Sequence, residues 1–103
     1  MNKILISCFL AAFILACAGK EKPTSGTVSV AEGETVYKKY CIVCHGADGK
    51  LGVNGAKDIT VSKLTLEERE AQIKKGKNTM TPFEGILSDS QIKSVAAYSL
   101  TLK

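Results

Sequence analysis

The chain has no tryptophan, one histidine and one arginine. His45 is that histidine, and no second cysteine pair stands elsewhere in the globular part to complete a tetrahedral zinc site with it. Strand patterning is nearly missing: Val28 to Val30 is the only short alternating run. The glycines form no phosphate-binding motif, and the lysines are not gathered into a basic stripe with stacking aromatics, which leaves nucleic-acid binding without support. A chain of 103 residues allows one small domain. Chains of this size usually need a staple beyond their own apolar packing: disulfides, a metal or a cofactor.

The one long apolar run is at the start. Lys3 supplies a positive charge, and Ile4 to Leu15 is interrupted only by Ser7 and Cys8. This is the pattern of an export signal, too short to span a bilayer comfortably. It ends in Ile14-Leu15-Ala16-Cys17, which resembles a lipobox, so residues 1–16 are expected to be removed and Cys17 to carry lipid. Ala16-Cys17-Ala18 also satisfies the small-x-small rule of ordinary cleavage, and soluble export is the alternative. Residues 17–32 are polar and turn-prone and read as a tether, with a reach on the order of 20 Å if they behave as a random coil.

Residues 33–103 carry the globular pattern, and the expected class is all-α. A first helix is expected over Gly33 to Cys44, with Val36 and Tyr40 on one side and a Glu34/Lys38 pair on another. A second starts at Thr65, whose hydroxyl forms a capping box with Glu68, and stops at Gly76. A third starts at Ser88 with Gln91, stapled by Leu87 and Ile92, and runs through Val95, Ala96 and Tyr98 toward Leu102. Long irregular stretches separate them, which in a small domain implies that they wrap something.

Cys41-Ile42-Val43-Cys44-His45 says what is wrapped. Thiols at this spacing can each add to a haem vinyl group, and the histidine that follows can offer a ring nitrogen to the iron. A thioredoxin-type redox pair is the chemical rival, but it needs a βαβ context that the sequence lacks. For the second axial position, Met80 is the only methionine besides Met1, and it lies between two expected helices; Lys77 or no ligand are the other options. A thioether favours ferrous iron and closes the sixth site, which suits electron transfer. An open sixth site would instead suit a gas sensor or a peroxidase-like enzyme, although no second histidine is present for distal chemistry.

On these residues, 33–103 resemble a class I monohaem cytochrome c of the short bacterial, cytochrome c6-like kind. Gly33-Glu34-Thr35-Val36-Tyr37 resembles the family's opening pattern, and Gly46-Ala47-Asp48-Gly49 the Gly-x-x-Gly that often follows the attachment site. Ile73-Lys74-Lys75-Gly76-Lys77, followed by Met80 and Phe83, resembles the run into the methionine ligand. Thr81 stands between Met80 and Pro82 where the family often has proline directly after methionine. The resemblance implies three main helices wrapping one covalently bound haem c, held by Cys41 and Cys44 with His45 and Met80 as axial iron ligands. It also implies that Gly33 and Tyr98 mark the crossing of the terminal helices.

The implied function is one-electron carriage without enzymatic turnover, by a monomer in a membrane-associated respiratory chain. The donor would be a quinol-oxidising complex and the acceptor a terminal oxidase or reductase; a fixed place as an accessory oxidase subunit is the alternative. The expected location is the periplasmic side of a bacterial membrane, lipid-anchored or else soluble. The formal charge of +4 loses one unit when Lys3 is cleaved away. Lys38, Lys39, Lys50 and Lys57 flank the attachment motif, and Lys74, Lys75 and Lys77 precede Met80. They form either a docking ring for an acidic partner or an ordinary solvated face.

Overall fold

A computed structural model describes residues 28–103. The expected signal, Cys17 and nearly all of the expected tether lie outside the described residues. Four helices follow in order: α1 (Val30–Tyr40), α2 (Ile42–His45), α3 (Leu66–Lys75) and α4 (Asp89–Ser99). Short 3₁₀ turns at Val53–Gly55 and Ile59–Val61 punctuate the stretch between α2 and α3. Among the described residues there are isolated β-bridges but no strand, so the all-α expectation is met.

α1 differs from its expected bounds at both ends. It starts earlier because the Ser29 hydroxyl accepts the Glu32 amide at 3.0 Å, so the last residues assigned to the tether belong to the helix. Ser-x-x-Glu is an N-terminal signature, hidden here behind the alternating Val28-Ser29-Val30. The helix also does not run unbroken to Cys44. Cys41 closes α1 through its amide, which donates to the Tyr37 carbonyl at 2.9 Å, and then opens the single turn of α2. The capping boxes at Thr65 and Ser88 are both formed, with the Glu68 carboxylate and the Gln91 amide oxygen each returning to the cap amide.

The core lies where α1 crosses α4, and α3 also packs on α4. Val36, Tyr37, Leu87, Ile92, Val95 and Ala96 are buried there. The crossing is close because position 33 has no side chain: a Cβ on Gly33 would overlap the Ser94 carbonyl and come within 2.8 Å of the Tyr98 Cβ. Above it the Tyr37 and Tyr98 rings lie 5.2 Å apart, tilted at 53°, a geometry that aromatic pairs favour. Ser29 extends the crossing, its amide donating to the Ser94 hydroxyl at 3.1 Å. The expected Glu34–Lys38 pair forms at 2.8 Å on the exposed side.

Candidate haem site

The break at Cys41 sets the geometry of the site. The turn of α2 begins at Cys41 and ends at His45, so both thiols and the imidazole come from one short, rigid piece of backbone. Gly46 ends that turn at φ 76°, and its carbonyl accepts the Tyr37 hydroxyl at 2.6 Å in the buried interior. Tyr37 thus ties the attachment turn to the α1/α4 core. Burial pushes its phenol up to about 12, so the hydroxyl stays a donor at physiological pH.

Met80 sits in a tight loop after α3. Gly76 ends α3 at φ 67°, and a Cβ there would overlap the Met80 carbonyl and approach the Pro82 nitrogen to 2.9 Å. The loop folds back on its own helix: the Phe83 amide donates to the Ile73 carbonyl at 3.0 Å and the Met80 amide to the Lys77 carbonyl at 2.9 Å. Tyr40 and Phe83 meet edge to face at 6.0 Å, joining the end of α1 to this loop. Lower down, the Thr79 hydroxyl donates to the Asn54 carbonyl at 2.8 Å and bridges the two long loops.

Cys41, Cys44, His45 and Met80 all line one crevice of about 560 Å³. That volume lies within the roughly 300–1,000 Å³ of cofactor clefts. The four residues read from the sequence are therefore brought together from two separate segments of the chain. Lys77, the alternative ligand, also lines the crevice. Val43, Val53 and Val61 lie along it as well, and Val43 and Val61 are 69 % and 70 % exposed. Apolar side chains left open along a cleft, opposite polar groups at fixed positions, suit a large flat apolar cofactor.

The ring of His45 is oriented by a backbone carbonyl twelve residues along the chain. Its Nδ1 lies 3.0 Å from the Lys57 carbonyl, a contact that makes Nδ1 the donor and leaves Nε2 with its lone pair. This is the tautomer an axial imidazole requires, and the second partner is a feature that usually accompanies metal-bound histidine. Burial, and then the neighbouring Cys44, push the Cys41 thiol up to about 11. Redox-active dithiols have depressed values, so this environment speaks against the thioredoxin-type rival. Both thiols are free. Among the described residues no cluster of three or more His, Cys, Asp or Glu side chains could hold a metal ion by itself. One imidazole and one thioether beside two free thiols fit an iron brought in by a macrocycle.

Cytochrome c6 of Leptolyngbya boryana is 40% identical over 76 residues, covering 68% of this chain and 88% of that protein. The chain belongs to the cytochrome c6-like class I monohaem cytochromes. Cytochrome c6 of Thermosynechococcus vestitus is 32% identical, with 97% of this chain and 92% of that protein covered. The family model described as cytochrome c oxidase, cbb3-type, subunit III matches residues 28–98. The solved cytochrome c6 of the diatom Phaeodactylum tricornutum superposes with a TM-score of 0.62 at 34% identity, covering 70% of this chain and 91% of that one. The cofactor is that of the family, a covalently bound haem c with its iron. The cytochromes c6 are small electron carriers.

Sequence reasoning missed two features of this cytochrome. One is the Lys57 carbonyl, which no side-chain pattern can announce. The other is Arg69, which is buried rather than solvated. Its spacing from Leu66 and Ile73 places it on the inward side of α3, and that spacing was the available signal.

Proposed function

We propose that this cytochrome is a one-electron carrier in which Cys41 and Cys44 would hold the haem and His45 and Met80 would ligate its iron. The observation that carries the reading is the convergence of all four side chains on one crevice, with the His45 ring turned by the Lys57 carbonyl so that Nε2 is free. When bound, the haem supplies an iron that cycles between ferric and ferrous. The chain's own work is to fix that iron and exclude water. Cys41 and Cys44 would hold the haem covalently, each by addition of its S–H across a vinyl group, which needs no oxidant. His45, from the turn of α2, and Met80, from the loop after α3, would hold the iron and leave no position open to an outside ligand. A closed site favours electron transfer over ligand chemistry.

The finer reading is a membrane-associated respiratory chain, between a quinol-oxidising donor and a terminal oxidase or reductase. It is supported by the export signal and the lipobox-like Ile14-Leu15-Ala16-Cys17. Cys17 would carry the lipid and hold the domain on the periplasmic side; no helix among the described residues is long and apolar enough to cross a membrane. A fixed place as an oxidase subunit is favoured by the description of the matching family model. Co-purification of the solubilised protein with an oxidase separates that role from a diffusing shuttle, and the mass of the mature N-terminus decides between lipid and simple cleavage.

Visible spectra of oxidised and reduced protein, with and without carbon monoxide, test the central reading. The expected result is a sharp reduced α-band, a weak near-infrared band in the oxidised form and indifference to carbon monoxide. Ready carbon monoxide binding would take Met80 off the iron and favour a sensor or enzyme.

A further inference from the structure

An asparagine followed by glycine is chemically labile, because the glycine's backbone nitrogen reaches the carboxamide carbon with no side chain in the way. The described residues hold one such pair, Asn54-Gly55, and one aspartate counterpart, Asp48-Gly49. The two are built differently. At Asp48 the carboxylate is occupied, accepting the Lys50 amide at 3.0 Å, and Gly49 is buried, so that a Cβ there would meet Leu102 and Ile59 at 3.1 and 3.2 Å. Asn54 and Gly55 are both exposed, and a Cβ on Gly55 would meet nothing within 4 Å, so the peptide between them has room to turn. The Gly55 amide is held only by a long bond of 3.3 Å to the Gly52 carbonyl. Among the described residues the Asn54 carbonyl accepts the Thr79 hydroxyl at 2.8 Å, while no hydrogen bond engages its carboxamide. Asn78 is also exposed and has the same φ of 54°, but the β-branched Thr79 follows it and crowds the attacking nitrogen.

Asn54, Gly55, Thr79 and Met80 all line the crevice, and Thr79 directly precedes Met80. The Thr79–Asn54 bond is thus a strap between two loops, one of which carries Met80. We propose that Asn54-Gly55 is a self-modifying site: Asn54 converts with time to aspartate or isoaspartate, and the isoaspartyl form releases the strap and loosens the Met80 loop. The second half of this rests on the ligation by Met80 proposed above.

The Gly55 nitrogen bonds to the Asn54 carboxamide carbon, and the carboxamide nitrogen leaves as ammonia with the Gly55 amide proton. Water then opens the cyclic imide. Opening at the side-chain carbon gives aspartate in an ordinary backbone. Opening at the α-carbonyl carbon gives isoaspartate, whose backbone runs through the side chain and whose former carbonyl is a free carboxylate. The net reaction consumes water and releases ammonia, with no oxidant and no enzyme. Both products add a negative charge to the crevice wall. Isoaspartate also lengthens the backbone by a carbon, which displaces the oxygen that Thr79 holds.

The test uses the mature holoprotein, aged in mildly alkaline buffer and then digested with trypsin. Residue 54 falls in the peptide 51–57 and Asn78 in the peptide 78–93. The first is expected to change from amide to acid mass, and to become a substrate for an isoaspartyl methyltransferase, at least about tenfold faster than the second. A peptide 51–57 that stays intact in the native protein and converts only after unfolding overturns the proposal, because the fold would then protect the pair. Asn54→Gly, which accepts the positive φ, is expected to age without the change. Cyanide binding to the ferric protein reads the strap. Aged, isoaspartate-rich protein and fresh Thr79→Val are each expected to bind cyanide about fivefold faster than fresh native protein, as the loss of a single hydrogen bond implies. Equal rates in aged and fresh protein would refute the release of the strap. The near-infrared band is read on fresh protein: its absence would sink the ligation by Met80, whereas the peptide masses decide the modification whatever the iron's ligands are.

Discussion

The α1/α4 crossing and the wall of the crevice are built by different means. At the crossing, side chains do the work: Tyr37, Ile92 and Val95 are each 1 % exposed, and the backbones meet because Gly33 has no Cβ. The wall from Gly46 to Thr65 has 3₁₀ turns and single backbone hydrogen bonds, with Val53 and Val61 open to the cleft. One region is closed by its own residues, and the other is shaped for a partner that supplies the missing surface. Their difference teaches that the haem serves here as core for half the molecule as well as redox centre.

The comparison is broken most severely at the attachment turn. Cys41→Ala together with Cys44→Ala is expected to abolish covalent haem, read as haem staining after denaturing electrophoresis. Cooperative folding should be lost as well, because the crossing buries too few side chains to fold a chain of this size unaided. Native far-ultraviolet dichroism without haem would show the crossing to be self-sufficient. A glycine pair sharpens the contrast at smaller scale. Gly33→Ala is expected to cost about 3 kcal/mol in urea unfolding of the holoprotein, since the new Cβ meets backbone that must move. Gly52→Ala, in the wall, has its nearest neighbour at 3.7 Å, and is expected to change stability by no more than about 0.5 kcal/mol. Equal costs at the two positions would erase the distinction.

The smallest effect tests the link between the two regions. The folded Tyr37 phenol titrates at about 12, against 10.0 when unperturbed. Below pH 10 both folded and unfolded chains hold the proton, and stability is at its full value. Between pH 10 and 12 the unfolded chain loses the proton first, so stability falls as pH rises. Tyr37→Phe should flatten that fall, while costing about 1 kcal/mol at neutral pH through the hydrogen bond withdrawn from the Gly46 carbonyl. An unchanged alkaline slope in the variant would assign the titration to another group.

The legible parts of the molecule were those written in adjacent residues. Cys41 to His45 is contiguous, and the boxes at Thr65/Glu68 and Ser88/Gln91 span one turn each, so local rules reached them. Gly33 and Tyr98 came through the family resemblance, and the overlap that a Cβ would create at position 33 supplies the physical reason. The early start of α1 was obscured because Val28-Ser29-Val30 satisfies the period of a strand while Ser29 serves as a cap. The break at Cys41 has no helix-breaking residue to mark it and arises from the tertiary path. Arg69 belongs to no contiguous motif, and its place on the inward side of α3 governs its surroundings.

His45 is oriented by the carbonyl of Lys57, not by that residue's side chain. Every amino acid carries such a carbonyl, so the contact that fixes the imidazole survives substitution at position 57. The Lys57 side chain, exposed at the crevice, is therefore free to change its charge while the orientation of the His45 ring stays put. In evolutionary terms, surface charge and imidazole orientation can be inherited separately at a single residue.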